Sequence, residues 1–584
     1  MKKSRSYLLI LLVAVIAIVT IIILNKEQEK EDEIANKAVT ADSTNILWYK
    51  DAVIYTLDVE VFKDSNGDGI GDFRGLTSKL GYIDSLGVNV ILLAPFQPTP
   101  NQDDGYDVSD FVGIDKRLGT IDDFRIFMLR ARQRNIRVLM DLVLNHTSIE
   151  HPWFQQARKN AASPFRLWYT WSKKKPANYN VGMVFTGVQK ETWTYDSVAR
   201  EYYYHRFYTF QPDINVQNPA VQTELRKIIK YWIDQGMAGF RLDAVPFFIE
   251  VPQTKGDKFD HQFAILTQLR TYLKTLNRDA IILGEANVPP KETKPYFGTD
   301  GNAMQMMFNF YVNQHLFYAL ATGEVKPLRQ ALQATQQIPK ISQWGQFLRN
   351  HDELDLGRLS MRARKRVYDK FGPDKNMQLY DRGIRRRIAP MMNNNRKQLE
   401  LAYSVLFSLP GTPVIRYGDE LGMGDDLILN ERSSVRTPMQ WDTAKNGGFS
   451  TGDDTIMPVI DSGSFGYNTV NVLTQQKQPR SLLNWTRKII SVHKQCPEIS
   501  FGNSKIVETS NSHILALRYE WQGTVLLVIH NFSKDSQKLS LKKRNAGGSK
   551  LKNFFSSGDN LKTGKNNLHF SLEGYGYRWY KVSP

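Results

Sequence analysis

The stretch Gly239-Phe240-Arg241-Leu242-Asp243 is short, carries apolar side chains at alternate positions and ends on a carboxylate. Alternation along a β-strand places Arg241 and Asp243 on the same side. A second apolar run leads into Gly284-Glu285-Ala286-Asn287 and also ends on a carboxylate. Because the carboxyl ends of parallel strands meet on one face of a barrel, the two runs predict a site on such a face.

Short apolar runs rich in β-formers alternate with longer helical patterns on both sides of these two stretches, which is typical of a parallel sheet with crossover helices. The predicted strands cover residues 52–57, 89–95, 137–144, 239–243, 280–285, 304–308, 346–350 and 413–416. Eight strands of this kind predict an α/β fold, a closed (β/α)8 TIM barrel.

Two further segments depart from this alternation. Residues 147–218 are dense in Trp and Tyr and too long for an ordinary loop, so they predict a small inserted domain after the third strand. The last part of the chain alternates apolar and polar residues, which predicts a C-terminal antiparallel β-sandwich. The predicted division is a stub and anchor at 1–25, a linker at 26–47, the barrel at 48–497 and an all-β domain at 498–584.

The N-terminal residues suggest a membrane anchor. Lys2, Lys3 and Arg5 precede an uncharged run over residues 7–24 that is long enough to cross a bilayer as a helix. The positive flank should stay in the cytoplasm, so we expect a single-pass protein of the cell membrane with its catalytic domain outside the cytoplasm. A cleaved signal peptide, and hence a secreted protein, is the alternative, since the segment Val39-Thr40-Ala41 suits cleavage.

Composition narrows the function. The chain has 584 residues, a formal net charge of +17 and a single cysteine, Cys496, which excludes an intramolecular disulfide. The positive charges are spread along the chain and belong to no nucleic-acid-binding motif, so a solvated basic surface is favoured over a nucleic-acid partner.

The two carboxylates have the chemistry needed to break or transfer a glycosidic bond. Arg241 should keep Asp243 ionised, as a nucleophile requires, and apolar neighbours should raise the pKa of Glu285, as an acid requires. A third carboxylate, Asp352, follows His351 at the end of the seventh run and is expected to grip sugar hydroxyls. His146 and His351 are expected to be neutral hydroxyl binders.

Four segments together resemble the sequence regions of the α-amylase superfamily of glycoside hydrolases, in order and spacing. They are residues 141–146, 239–244, 284–287 and 349–352. Within the superfamily the chain resembles the trehalose synthases from Trp48 to Ser450, through the segments 103–107, 151–154, 211–213, 243–246, 347–353, 383–387 and 435–441.

The resemblance implies a retaining reaction through a covalent glucosyl-enzyme, without an organic cofactor. The implied substrates are small α-glucosides, namely maltose, trehalose and maltooligosaccharides, and the implied reaction converts maltose to trehalose with side hydrolysis. The residues implied to hold the glucose ring are Asp103, Tyr106, His146, Gln211, Arg241, His351, Asp352 and Arg436.

Structural calcium is also expected. Oxygen-bearing residues recur at alternate positions around a glycine turn and can wrap a hard cation, although a solvated acidic turn is the alternative. The expected ligands are Asp64, Asn66, Asp68, Ile70 and Asp72. The resemblance implies a second site at Asn145, Asp213 and Glu250.

The resemblance to trehalose synthases weakens on the leaving-group side. A basic stretch follows Asp355 and runs over residues 358–366, where an acidic one is usual, and Arg416 stands in place of a tyrosine. An α-glucosidase or α-amylase-type hydrolase is therefore the main alternative. A non-catalytic, amylase-like transporter subunit is a weaker alternative, because the chain keeps both carboxylates of the catalytic pair.

Overall fold

In the computed structural model, which describes residues 46–252, 260–548, 550–555 and 561–583, eight parallel strands close into a barrel. These strands, numbered in chain order, are β1 Ile54–Leu57, β2 Val90–Leu93, β3 Arg137–Leu142, β4 Gly239–Leu242, β5 Ile281–Gly284, β6 Met306–Phe308, β7 Gln343–Phe347 and β8 Thr412–Arg416. Each strand pairs with the next, and β8 returns to β1 through Ile54 and Val414. The predicted barrel is confirmed.

The seventh strand lies three residues earlier than its predicted position of 346–350. It starts at Gln343, and both Gln343 and Gln346 are buried in it. Gln346 Nε2 donates to the carbonyl of Pro410 at 2.8 Å, which satisfies a polar group inside the barrel wall. Gln343, at the start of the strand, interrupts the apolar pattern from which strands were predicted. The correction leaves residues 349–352 in the loop above β7.

The helices around the barrel begin at residues suited to capping. Thr120 and Asp123 form a reciprocal capping box, and Asn218 caps a helix that has Pro219 in its first turn. The α-helices are Phe73–Ser78, Leu80–Leu86, Ile121–Gln133, Pro152–Lys159, Pro219–Asp234, Val245–Phe248, Ala264–Leu276, Lys294–Phe297, Phe310–Thr322, Lys326–Ala334, Met361–Phe371, Ile388–Met391, Arg396–Ser408, Val472–Lys477, Leu482–Lys494, Pro497–Phe501 and Lys543–Ala546.

The segment between β3 and β4 forms a small aromatic unit above the barrel. Three short strands, Trp171–Ser172, Trp193–Asp196 and Glu201–Tyr204, pair antiparallel. An isolated bridge between His146 and Asp213 fastens the two ends of this segment to each other above β3. The insertion therefore covers one side of the barrel face where the strands end.

Two antiparallel sheets complete the chain. The first runs in the order Asn503–Ile506, Ile514–Trp521, Thr524–Asn531, Tyr577–Ser583 and Lys550–Asn553, and the second in the order Gln537–Lys542, Asn567–Leu572 and Lys562–Thr563. The barrel helix Arg396–Ser408 packs against the first sheet, because Ser404 Oγ lies 3.0 Å from His530 Nε2 and 2.9 Å from Trp579 Nε1.

The prediction of a membrane-spanning helix is corrected. The longest helix in the described part of the chain, Pro219–Asp234, has 16 residues, whereas a bilayer requires about 20 apolar ones. Among the described residues no helix is long and apolar enough to cross a membrane. The span predicted over residues 7–24 lies outside the described residues. The lack of a membrane-spanning helix among the described residues contradicts the transmembrane part of the predicted fold and the predicted location at the cell membrane.

Candidate active site

Polar side chains gather where β3, β4, β5 and β7 end. Asp243 directly follows β4 and Glu285 directly follows β5, and both are buried or nearly so. The chain turns sharply after Asp243, since Ala244 adopts a left-handed conformation at φ 46° and ψ 43°. The Ala244 backbone N–H then donates to Glu285 Oε2 at 3.3 Å, so the turn after one carboxylate holds the other.

Arg241 is the common partner of three carboxylates. Its Nη1 donates to Asp243 Oδ1 at 2.8 Å and its Nη2 to Glu285 Oε2 at 2.5 Å, while Nη1 also contacts Asp141. The guanidinium is 3% exposed. Its planar fork fits two carboxylates at once, which fixes the position of Asp243 relative to Glu285.

Burial and Arg241 have opposite effects on the pKa values of Asp243 and Glu285. Burial raises the pKa of both Asp243 and Glu285 to about 7, although the Arg241 guanidinium lowers both. The sequence predicted this rise for Glu285, but for Asp243 it considered only the arginine. Because the two carboxyls lie together, the pair retains a proton near neutral pH. One ionised and one protonated carboxyl is the state that glycosyl transfer uses.

Tyr106 and the two histidines surround the pair. The Tyr106 hydroxyl donates to Asp141 Oδ2 at 2.7 Å and lies 2.8 Å from His351 Nε2, and the two rings stack at a centroid distance of 5.2 Å. His146 Nε2 lies 3.0 Å from the Tyr106 carbonyl oxygen. Burial lowers the pKa of His146 to about 4 and that of His351 well below its ordinary value. Both histidines are therefore neutral, and their binding of sugar hydroxyls stays a prediction.

Two arginines hold the third carboxylate, Asp352. Arg432 Nη1 and Arg436 Nη2 each lie 3.0 Å from Asp352 Oδ1. Burial alone would raise the pKa of Asp352, but the neighbouring cationic groups bring it below its ordinary value. Asp352 is ionised, as a group that grips hydroxyls requires.

Arg432 was missed by the sequence reasoning. Its Nη2 contacts Asp103 Oδ1 at 2.6 Å, so one guanidinium joins Asp103 to Asp352, and Gln211 Nε2 donates to Asp103 Oδ2 at 2.9 Å. Arg432 lies four residues before Arg436, which belongs to the predicted motif 435–441. This proximity was the only sequence signal for Arg432.

All ten predicted catalytic and substrate-binding residues thus lie in one connected cluster. A cavity of about 560 Å³ opens over it. We call the residues Asp103, Tyr106, His146, Asp243, Glu285, His351, Asp352 and Arg432 the glucose wall of this cavity, after the sugar that the sequence resemblance implies for it, and the residues Val184, Asn287, Glu353, Asp355, Arg358 and Arg382 its outer wall.

The predicted calcium loop forms a compact turn. Asp64 accepts hydrogen bonds from the backbone N–H groups of Asn66, Gly67 and Gly69 at 2.8–2.9 Å, and Asp72 caps the following helix through Gly75 N–H at 2.7 Å. Asn66 Nδ2 donates to Asp68 Oδ2 at 3.0 Å. The donor set is all oxygen, as a hard cation prefers, but backbone amides already use much of the carboxylate capacity.

The residues of the second predicted calcium site also lie together. Asn145 hydrogen-bonds to Asp213, whose pKa is raised by burial to about 7. Glu250 pairs with the Arg206 guanidinium, and Arg206 N–H donates to Asp213 Oδ1 at 2.9 Å. The Arg206 guanidinium therefore already provides positive charge next to the carboxylates of the second predicted calcium site.

A third acidic group was not anticipated. Among the described residues, Asp58, Glu60 and Asp104 form the one set of three or more acidic, His or Cys side chains whose ligand atoms lie within 4.8 Å of one another. Arg117 pairs with Glu60 at 3.2 Å and Arg436 with Asp104 at 2.7 Å, so arginines compensate part of the charge.

Comparison with known families places this fold and site. Residues 54–502 match the family model described as the alpha amylase catalytic domain, and residues 523–581 match the C-terminal domain of sucrose hydrolase-like proteins. The chain belongs to the α-amylase family and is an enzyme of that family.

Within the family the chain is similar to trehalose synthases. It is 40% identical over 499 residues to trehalose synthase of Thermus thermophilus, covering 85% of this chain, but it spans about half (51%) of that relative's length. It is 38% identical to the trehalose synthase/amylase TreS of Mycolicibacterium smegmatis, covering 92% of this chain and 93% of the relative. The structure of trehalulose synthase MutB from Pseudomonas mesoacidophila superposes with a TM-score of 0.73 at 26% identity, covering 92% of this chain and 99% of that one.

Proposed function

We propose that this protein is a retaining α-glucoside-processing enzyme that converts maltose to trehalose by intramolecular glucosyl transfer, with hydrolysis as a side reaction. The observation that carries the proposal is the Asp243–Arg241–Glu285 arrangement beneath a cavity large enough for a disaccharide. The similarity to proteins named trehalose synthase supports the choice of substrate.

In the first half-reaction Asp243 attacks C1 of the glucosyl unit and forms an ester bond, while the bond from C1 to the leaving oxygen breaks. Glu285 gives its proton to that oxygen, so free glucose leaves as a neutral molecule. Arg241 contacts both carboxylates and balances the negative charge that moves from Asp243 to Glu285 during this step.

In the second half-reaction the released glucose turns and presents its C1 hydroxyl instead of its C4 hydroxyl. Glu285, now ionised, takes the hydroxyl proton as the new bond to C1 forms and the ester to Asp243 breaks. Asp352 and Asp103, both held by Arg432, would grip the hydroxyls of the glucosyl unit through both steps.

Hydrolysis of an α-glucoside is the second candidate. The observation that favours it is the exposure of Arg358 on the outer wall, where water has access to the cavity. In that reaction a water molecule replaces the turned glucose as the acceptor, and the same two carboxylates perform both steps.

Calcium is part of the proposal as a structural ion. The loop of Asp64, Asn66, Asp68, Ile70 and Asp72 offers oxygen atoms only, and Asn66 and Asp68 are exposed and available to a cation. The set of Asn145, Asp213 and Glu250 is a second candidate. Neither set belongs to the glucose wall, so a bound ion would support the fold and not the chemistry.

The test is incubation of the purified protein with maltose in ¹⁸O-labelled water, with separation of trehalose, glucose and unreacted maltose. We expect unlabelled trehalose together with free glucose, of which the molecule released by hydrolysis of the glucosyl-enzyme carries ¹⁸O at C1 and the leaving-group molecule does not. If all consumed maltose appears as glucose and no trehalose forms, the synthase proposal fails and the hydrolase remains. If maltose is not consumed at all, both fail.

A further inference from the structure

Arg382 joins three separate segments at the outer wall of the cavity. Its Nε contacts Asp355 Oδ2 at 2.7 Å, its Nη2 contacts Glu353 Oε1 at 3.2 Å, and its Nη1 donates to the Val184 carbonyl oxygen. Glu353 and Asp355 belong to the loop after β7, whereas Val184 belongs to the inserted segment. We call these four residues the Arg382 clasp.

The local backbone positions the Arg382 side chain. Arg382 ends a three-residue turn between the short strands Gln378–Leu379 and Gly383–Ile384. Tyr380 and Asp381 both adopt left-handed conformations, with φ of 54° at each, which is uncommon for residues other than glycine. The strand behind the turn packs tightly on Glu353, since a Cβ on Gly383 would lie 2.4 Å from Glu353 Cγ.

A second set of contacts also joins the inserted segment to the loops of the barrel. The hydroxyls of Tyr208, in the inserted segment, and Tyr380, in the turn, donate to Glu431 Oε2 at 2.8 and 2.9 Å. Phe185 stacks on Tyr208 at 4.7 Å and lies 4.9 Å from Tyr380. The inserted segment is therefore bonded to the barrel loops at two points beside the cavity.

We propose that Arg382 determines specificity by holding the inserted segment against the loop after β7, so that the leaving sugar is retained for transfer instead of escaping. This inference rests on the proposed function. The clasp residues line the cavity but are distinct from the catalytic pair, so they would control the fate of the released glucose and not the breaking of the bond.

Loss of the Arg382 side chain would have two effects on the outer wall. Glu353 and Asp355 would lose a shared cationic partner and repel each other, and the Val184 carbonyl would lose its link to the barrel. Both effects open the wall. Water or external glucose could then reach the glucosyl-enzyme before the retained sugar turns.

The test compares wild type with Arg382→Gln, Arg382→Lys and Tyr380→Phe, using maltose plus ¹³C-labelled free glucose. The readouts are the ratio of free glucose to trehalose and the share of ¹³C in the trehalose. We expect both to rise about threefold or more in Arg382→Gln and less in the other two, which keep part of the contacts. A merely structural residue would lower the rate without moving either ratio.

Arg366→Gln is the matched control, since Arg366 is an arginine of the neighbouring helix that pairs with Glu324 at 2.9 Å outside the cavity. We expect it to behave as wild type. Trehalose formation with unchanged ratios in Arg382→Gln overturns the inference alone, and if that variant does not fold, unchanged ratios in Arg382→Lys and Tyr380→Phe do the same. A wild type that releases glucose only overturns the proposed synthase function and the retention assigned to the clasp together.

Discussion

The glucose wall and the outer wall of the cavity are built in different ways. Asp243 and Glu285 of the glucose wall directly follow barrel strands, and Arg241, which lies in a strand beside them, is 3% exposed. Residues of the outer wall come from the inserted segment and from the segments beyond the barrel strands, and Arg382 is 25% exposed there while Arg358 is exposed. The strands of a closed barrel hold their residues in fixed positions, whereas loops are more mobile and tolerate changes of sequence. Under the proposed function, the glucose wall breaks the bond and the outer wall affects which acceptor receives the glucosyl unit.

The largest effect is expected where the glucose wall carries the chemistry. Asp243→Asn and Glu285→Gln keep shape but remove the charge or the proton, so the turnover of maltose should fall by about a thousandfold or more in each. Asp369→Asn is the control, because Asp369 pairs with Lys365 on an exposed helix surface. Circular dichroism should show that all three variants are folded. Activity within tenfold of wild type in either catalytic variant would contradict the assignment.

One arginine from each wall gives a direct comparison. Arg432→Gln leaves Asp103 and Asp352 without their shared partner, so kcat/KM for maltose should fall by about a hundredfold. Arg358→Gln removes the contacts that this exposed side chain makes to the Asn287 backbone and side chain, so kcat/KM should change by less than about threefold. Equal losses in the two variants would show that the walls do not differ as the structure indicates.

The pH profile should reflect the buried pair. Glu285 must be protonated to act as an acid, and burial raises its pKa to about 7, so kcat/KM should fall by about tenfold per pH unit above that value. The fall on the acid side reports protonation of the pair as a whole, since both carboxyls titrate together. A profile that stays flat to pH 9 would show that Glu285 is not the proton donor.

Calcium removal should affect stability and leave both walls intact. If the loop around Asp68 binds calcium, a chelator should lower Tm by several degrees while the rate of the enzyme that remains folded is unchanged. Asp68→Asn should lose most of this chelator response. Identical melting of calcium-loaded and chelated wild type would show that the loop is a turn without a bound ion.

The smallest effect is expected at the acidic group of Asp58, Glu60 and Asp104, in which Glu60 is buried and the other two are half-buried. Burial raises the pKa of Asp58 to about 7, so its favourable contribution to stability is present below its unfolded pKa of about 4 and is lost as pH rises through 7. Asp58→Asn should therefore raise Tm relative to wild type by about 1–2 °C at pH 8 and by less at pH 5. A larger gain at pH 5 than at pH 8 would reverse the sign and contradict this account.

Most of the barrel and the glucose wall could be predicted from the sequence. Runs such as 239–243 combine apolar alternation with a terminal carboxylate, and a parallel barrel brings such ends together whatever the loops do. The exception was β7, where Gln343 and Gln346 replace apolar residues and are satisfied within the fold. Arg432 was missed because its role depends on a loop that returns from beyond β8 to meet Asp103 and Asp352.

The outer wall could not be predicted for the same reason. Arg382 meets Val184 across 198 positions of sequence, through a turn whose left-handed residues Tyr380 and Asp381 carry no glycine signal. The basic stretch after Asp355 did mark this region as unusual, but its charges could not be paired with partners from spacing alone. Asp58 and Glu60 gave no signal, because they become an acidic group only when Asp104 reaches them from another loop.

The position of Arg241 among Asp141, Asp243 and Glu285 also limits how a descendant of this protein could abandon catalysis. If the arginine changed first, two buried carboxylates and the half-buried Glu285 would be left without their common counterion, and the lineage would pass through a destabilised intermediate. Replacement of Asp243 or Glu285 first leaves the remaining acids neutralised and the barrel whole. Evolution towards a non-catalytic role therefore has a preferred order, in which the acids are lost before the arginine.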